Sequence, residues 1–364
     1  MVNCKLNISD FLDKSLTLPV IDVRSPAEFE HGHIPGAVNL PLFSNEERSV
    51  IGTLYLQKGT SEAMLKGLEL IGPKMKEFAS LALQIAPDRH ALLHCWRGGM
   101  RSNSMAWLLN TVGIQTDTLE GGYKSFRNRA HGCFSEPYNL VIIGGMTGSG
   151  KTDVLEALEL MGKQVIHLER LACHKGSVFG GFGMPSQPTT EQFENDLFMQ
   201  LRQIDPREIV YVEDESLAIG RVFIPRPFYD RMVSAPAMNL VAPLKQRIRR
   251  LTAGYAGENK DQLISNVQRI QKRLGLQNAS LVIESIQNGE MEIAIEKVLH
   301  YYDKLYARTM SLHKRKKVFE IMIHDEKPGE IADIVIAIAQ QSPSFAKASA
   351  GAATYNNHNN HNNN

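Results

Sequence analysis

Cys95 opens the run His94-Cys95-Trp96-Arg97-Gly98-Gly99-Met100-Arg101-Ser102. Glycines there let successive backbone N–H groups converge on one point, and a helix starting just after them adds its positive N-terminal dipole. A thiol so placed ionises near neutral pH, while Arg97 and Arg101 supply fixed positive charge. Such a loop holds a tetrahedral oxyanion, or a sulfur or selenium atom bonded to Cys95, so Cys95, Arg97 and Arg101 are the candidate catalytic residues. Further along, Gly145-Met146-Thr147-Gly148-Ser149-Gly150-Lys151-Thr152 has the G-x4-G-K-T spacing of a phosphate cradle. The amides of Gly145, Gly148, Ser149 and Gly150 and a helix N-terminus would hold a diphosphate. Lys151 would reach its terminal oxygens, and Thr152 is the usual position for a Mg²⁺ ligand.

Three more groups could contribute. Val210-Tyr211-Val212-Glu213-Asp214-Glu215 ends in carboxylates where a phosphate-loop sheet holds its metal or second ligand. In an extended chain Glu213 and Glu215 face one side and Asp214 the other. Between these motifs, Glu169, His174, Lys175, Gly176 and Ser177 fall in a segment rich in glycine and cations. That composition suits a mobile loop contacting an anion, and a solvated surface loop accounts for it equally well. Two basic clusters, Lys245-Gln246-Arg247-Ile248-Arg249-Arg250 and His313-Lys314-Arg315-Lys316-Lys317, could form a track for nucleic-acid phosphates. Arg247, Arg249, Arg250, Lys314 and Arg315 are its candidates. Tyr301, Tyr302 or Tyr306 could offer a stacking face to a splayed base, although core packing suits most of them.

The elements that must position these residues can be read from periodicity and punctuation. Val20–Arg24 is a short buried strand, followed by a helix with Ser25 as N-cap and Pro26 in its first turn. Tyr138–Ile143 is an apolar strand leading into the phosphate loop, and Lys151–Leu158 continues as a helix. Gln164–Glu169 reads as a second strand, Thr189–Phe198 as a helix with a capping-box-like start, and Ile209–Ser216 as a third strand. Strand alternating with helix implies a mainly parallel sheet with crossover helices. Beyond about residue 243 the sequence reads as helical and rich in Lys and Arg.

With 364 residues the chain exceeds one typical core. Gly and Pro within Arg129–Pro137 place a boundary between a domain at 5–132 and another at 138–340. Residues 342–364, a Ser, Ala and Gly stretch ending in an Asn/His tract, cannot bury a core and should be disordered. The formal charge of +1 gives no global electrostatic clue. The N-terminus lacks an apolar signal region, and Ile331–Ala339 is too short for a membrane span and contains Asp333. Four scattered cysteines show neither metal spacing nor a disulfide framework, which suggests a reducing cytoplasm.

The segments before Cys95 carry a resemblance. Asp22-Val23-Arg24, Glu28-Phe29, Gly32-His33-Ile34-Pro35-Gly36-Ala37 and the later Gly121-Gly122-Tyr123 resemble the rhodanese domain as far as about residue 130. Cys95 to Arg101 is C-x5-R, one residue longer than the loop of many sulfur-transferring rhodaneses. Rhodanese-related phosphatases and arsenate reductases have that longer spacing, so the pocket suits a phosphate-sized group. Asp22 and Arg24 read as a structural pair tying a strand end to a loop.

Adding the phosphate loop, Glu169-x4-His174-x-Gly176-Ser177, Gln187-Pro188-Thr189 and Val212-Glu213-Asp214-Glu215-Ser216, the chain resembles the tRNA 2-selenouridine synthase family from residue 5 to about 330. The resemblance implies an α/β fold: an N-terminal rhodanese domain, then a P-loop NTPase-like domain with a helical, basic C-terminal part. It implies conversion of wobble 2-thiouridine to 2-selenouridine in the tRNA anticodon region, through a geranylated sulfur made from geranyl diphosphate. Selenophosphate would supply selenium, with its synthase as a further partner, and no tightly bound cofactor is expected. Cys95 would either carry selenium or activate the donor in place. Two other classes fit single motifs: a small-molecule kinase using Mg-ATP fused to a rhodanese-like phosphatase or arsenate reductase, and a binding protein with a nucleotide switch. The sequence does not reveal an oligomeric state.

Overall fold

A computed structural model of the chain describes residues 4–175, 184–255, 259–312 and 318–341. Gly176, Ser177, Lys314, Arg315 and the tail at 342–364 lie outside the described residues. Backbone contacts divide the chain into two units, Met1–Cys133 with Glu194–Met199, and Phe134–Phe193 with Gln200–Asn364.

In the first unit, β1 (Cys4–Leu6), β2 (Val20–Asp22), β3 (Val38–Asn39), β4 (His90–His94) and β5 (Gln115–Leu119) form a parallel sheet in the order β1-β5-β4-β2-β3. Seven helices accompany it: α1 (Ile8–Lys14), α2 (Pro26–His31), α3 (Asn45–Lys58), α4 (Thr60–Ile71), α5 (Met75–Ile85), α6 (Met100–Thr111) and α7 (Gly122–Cys133). Both faces of a parallel sheet are covered, so its central strand is a continuous apolar run, here the fully buried Ala91-Leu92-Leu93. Helix α2 starts where the sequence places it, because Ser25 and Glu28 form a reciprocal capping box with Pro26 in the first turn. Helix α7 runs through Gly132 to Cys133 and ends inside the segment expected to be a break.

The second unit contains β6 (Asn139–Gly145), β7 (Gln164–Ile166), β8 (Ile209–Glu213), the hairpin β9 (Ala218–Ile219) and β10 (Val222–Phe223), β11 (Ala237–Val241) and β12 (Val318–Met322). Its main sheet is parallel in the order β12-β11-β6-β8-β7. Helices α8 (Lys151–Leu160), α9 (Leu168–Leu171), α10 (Thr190–Leu201), α11 (Arg226–Ser234) and α12 (Leu244–Gly254) follow the strands. Next come α13 (Lys260–Leu274), α14 (Leu276–Asn288) and α15 (Met291–Leu312), and α16 (Pro328–Gln341) closes the described chain. Helices α13, α14 and α15 share an apolar core around Val267, Val282, Ile286 and Val298. The central strand β6 is buried along its whole length and delivers the phosphate loop to the carboxyl edge of the sheet.

Two local expectations need correction. Strand β7 stops at Ile166, and Leu168-Glu169 opens a helical turn instead of extending the strand. The stretch after residue 243 is not helical throughout, because Val318–Met322 pairs with β11 as an edge strand. Val318–Met322 is apolar apart from Glu320, yet only Ile321 of the five is buried, as suits an edge strand.

Candidate active site

Strand β4 carries Cys95 to the sheet edge, and α6 begins at Met100, so the thiol lies in the turn between strand and helix. Cys95 is 3% exposed, with Sγ 3.3 Å from Ser102 Oγ. Ser102 Oγ in turn donates to Gly99 O at 3.1 Å. Burial pushes the thiol pKa up, but the Ser102 side chain and amide together with the Arg101 charge outweigh it, leaving the thiol below its ordinary value. Arg101 is not free for a ligand alone: Nη1 binds Glu28 Oε2 at 2.7 Å, and Arg48 Nε stands 3.7 Å from the same oxygen. Arg97 is exposed.

The loop is held from behind by a glycine. Gly122 has φ +60°, and a Cβ there would lie 2.4 Å from both Cys95 O and Gly98 N. Only a residue without a side chain lets Tyr123 N–H donate to Cys95 O at 2.8 Å and Lys124 N–H to Trp96 O at 3.0 Å. Asp22 and Arg24 form a buried, forked ion pair, with Arg24 Nη2 2.6 Å from Asp22 Oδ2 and 2.7 Å from Gly32 O. The guanidinium also lies 3.8 Å over the Tyr123 ring. This pair is part of the scaffold, as its residue types suggested.

In the second unit Gly150, in the left-handed conformation, opens α8. Lys151 Nζ donates to Gly145 O at 2.9 Å. Gly145 N–H donates to the Tyr306 hydroxyl at 2.9 Å, and that hydroxyl donates to Asp214 Oδ2 at 3.4 Å. A cavity of about 490 Å³ is bounded by Gly145, Gly148, Gly150, Lys151 and Thr152 on one side. Glu169, Lys175, Asp214, Glu215 and Arg250 line the rest with Tyr302 and Tyr306. Ser149 is buried beneath the loop.

The carboxylates sit as the extended-chain argument suggests. Asp214 turns to Tyr306, whereas Glu213 and Glu215 share their side with Glu169. Glu213 Oε2 accepts from Glu169 N–H at 2.9 Å. Burial, then the Glu169 charge, pushes Glu213 up to about 8. Burial also raises Glu169, against the opposing charge of Lys151, and raises Glu215 well above the ordinary range. The neighbouring Thr152 hydroxyl opposes that rise at Glu169. His174 is half-buried, and burial lowers its pKa. Among the described residues no group of three or more His, Cys, Asp or Glu side chains converges as a metal site. Thr152 lines the cavity beside Lys151, where its hydroxyl would be offered to a Mg²⁺ ion.

The three arginines of the first basic cluster divide between two roles. Arg247 is buried: Nε donates to Thr147 O at 2.8 Å, and its two Nη atoms grip Asp303 at 3.0 and 2.6 Å. It is a brace for the phosphate loop and is unavailable to an RNA phosphate, which corrects the expectation from composition. Arg250 donates to Gly148 O at 2.8 Å and pairs with Asp153, so it belongs to the loop as well. Arg249 is exposed and keeps its candidacy. Reading by motif gave Glu28, Ser102 and Asp303 no part in a site and offered Tyr306 only as a stacking face, not as a partner of Gly145. The Ser25-x-x-Glu28 spacing marks a capping box, but nothing in it signals that Glu28 also meets Arg101.

Two parallel-sheet units, one presenting a rhodanese-type cysteine loop and the other a phosphate loop, define a fused rhodanese and P-loop protein. A profile described as rhodanese-like domain matches residues 8–129, and one described as tRNA 2-selenouridine synthase AAA domain matches residues 138–335. The chain belongs to the tRNA 2-selenouridine synthase family. It is similar to proteins of that name from Bdellovibrio bacteriovorus, 34% identical over 79% of this chain and 88% of the relative, and Nitrosomonas europaea, 32% identical over 83% and 91%. The namesake from Nitrosomonas eutropha is 38% identical over 65% of this chain, and the match spans 63% of that protein's length. Among the described residues no helix is long and apolar enough to cross a membrane.

Proposed function

We propose that this chain modifies tRNA at the wobble position, converting 2-thiouridine to 2-selenouridine in two steps. Sulfur bound to C2 as a thione is a poor leaving group, and alkylation turns it into one that departs as a thiol. In the first step S2 attacks C1 of geranyl diphosphate, the new C–S bond replaces the C–O bond, N3 loses its proton and diphosphate leaves with the bonding pair. Lys151 and the loop amides neutralise the charge that develops on diphosphate. In the second step selenium from selenophosphate attacks C2, the C2–S bond breaks and geranylthiol leaves with a proton. Water takes the P–Se bond to phosphate. Cys95 and Arg101, in a loop sized for a phosphoryl group, hold the selenophosphate during this step. Mg²⁺, if used, would sit by the Thr152 hydroxyl and neutralise phosphate charge. The reaction belongs in the cytoplasm with tRNA, selenophosphate and the synthase that makes it as partners.

The observation that carries this reading is the presence in one chain of an acidified thiol in a C-x5-R loop and a lysine-bearing diphosphate cradle. Nucleoside mass spectrometry of tRNA incubated with the protein tests it, omitting geranyl diphosphate and selenophosphate in turn. The expected result is geranylated nucleoside without selenophosphate, and selenouridine only with both donors. ATP turnover without RNA, and neither nucleoside, would sink it in favour of a phosphotransferase.

A further inference from the structure

The first unit contains a cavity of about 820 Å³ between α3 and α4 that neither step above uses. Its walls are mainly apolar, with Ile51, Tyr55, Leu56, Met64, Leu68 and Met100 among them, and Thr53 and Thr60 are among the hydroxyls that α3 and α4 add. One end is the cysteine loop's own flank, where Glu28, Arg48 and Arg101 line the cavity, and Glu28 joins the two cations. The apolar lining is not sealed by the fold: Leu56 is 85% and Leu68 65% exposed, and Tyr55 and Met64 are exposed beside them. A protein that leaves large apolar side chains open around a concavity is presenting a binding surface. The volume lies within the range of about 300–1,000 Å³ that encloses small organic ligands.

We infer that this cavity binds the hydrocarbon chain carried by the sulfur leaving group while C2 faces the cysteine loop. The inference rests on the S-alkylated intermediate proposed above. Several features argue for this occupant. The α3 and α4 walls offer a base, a sugar or a phosphate few polar partners, because most of their lining side chains are apolar. They do fit an unbranched or isoprenoid chain, whose only polar atom, the sulfur, would emerge at the Arg101 end beside Cys95. Burial of the chain there would fix the C2–S bond against the selenium donor, so a longer chain should speed the step beyond what the leaving group alone requires.

The test uses the full chain and anticodon stem-loops bearing S-methyl, S-dimethylallyl or S-geranyl 2-thiouridine, converted with selenophosphate. Each added five-carbon unit should raise kcat/KM at least about tenfold in the unaltered protein. Leu68→Glu places a charge at the exposed mouth, and Ala63→Phe fills the wall from inside. Both should lower the geranyl-to-methyl ratio of kcat/KM by about tenfold or more, with melting temperature confirming the buried Ala63 variant. Calorimetry with decane-1-thiol supplies a second readout independent of RNA: the unaltered protein should bind it and Leu68→Glu should not. No chain-length dependence, or a ratio and thiol affinity unchanged in both variants, overturns the inference while leaving the two-step function standing. Failure to convert any S-alkyl substrate overturns that function, and the thiol titration then judges the cavity alone.

Discussion

A buried thiol loses hydration and resists ionisation, so the lowered pKa of Cys95 depends on the few groups that favour its charge, led by Ser102. Ser102→Ala removes that hydrogen bond and should move the midpoint of Cys95 alkylation by iodoacetamide up by about one pH unit. Because the thiolate exists above its pKa, reactivity near neutral pH should then fall by up to about tenfold. An unchanged profile would transfer the effect to Arg101. Glu213 supplies the opposite case. Its folded pKa of about 8 stands above its ordinary 4.5. The folded state thus holds a proton that the unfolded state has released between those values, and stability falls as pH rises across that window. Glu213→Gln should flatten the decline, seen as a smaller difference between melting temperatures at pH 5 and pH 8.5. At this scale Cys95 and Lys151 were legible because their motifs are local. Glu28 and Ser102 were not, and Tyr306 was singled out for stacking and not for the Gly145 N–H, since a partner brought in by folding leaves no spacing to read.

Helix α12 shows how an element sorts residues that composition lumps together. Its basic run places Arg247 on the inner face and Arg249 on the outer one, a separation that follows from helical geometry once the helix is docked. Arg247→Gln breaks a pair whose side chains are 4% and 28% exposed and should cost about 2 kcal/mol in denaturant melts, less than a fully buried pair because Asp303 is partly hydrated. Arg249→Gln should leave stability within about 0.5 kcal/mol. It should reduce the salt dependence of tRNA affinity by about one counterion. Equal melting loss in both variants would contradict the assignment. Strands β6 and β8 were legible as apolar runs leading into their motifs, whereas the equally buried β4 was not read as a strand. Edge strand β12 and the turn at Glu169 were hidden because each spans only four or five residues, too few for a helical or strand period to show.

For the molecule as a whole, the proposed division of labour between the two units makes the strongest demand. Cys95→Ser should abolish selenouridine and let the geranylated nucleoside accumulate. Lys151→Ala should lower geranylation by orders of magnitude, and supplying pre-geranylated tRNA should restore selenation. Parallel loss of both products in either folded variant would show that the steps are not divided in this way. The order of the motifs along the chain made the two-unit plan readable, since each cradle requires its own strand before it and helix after it. What order could not convey is that the phosphate loop already has an internal occupant. The Tyr306 hydroxyl takes the Gly145 N–H, and it reaches there from α15, 161 residues further along the chain. A diphosphate oxygen that needs this donor competes with a tethered group that cannot diffuse away. Its measured affinity is therefore the intrinsic one scaled by the fraction of molecules in which Tyr306 has swung aside. Any change that loosens α15 should tighten diphosphate binding, and bound diphosphate should loosen α15 to the same degree.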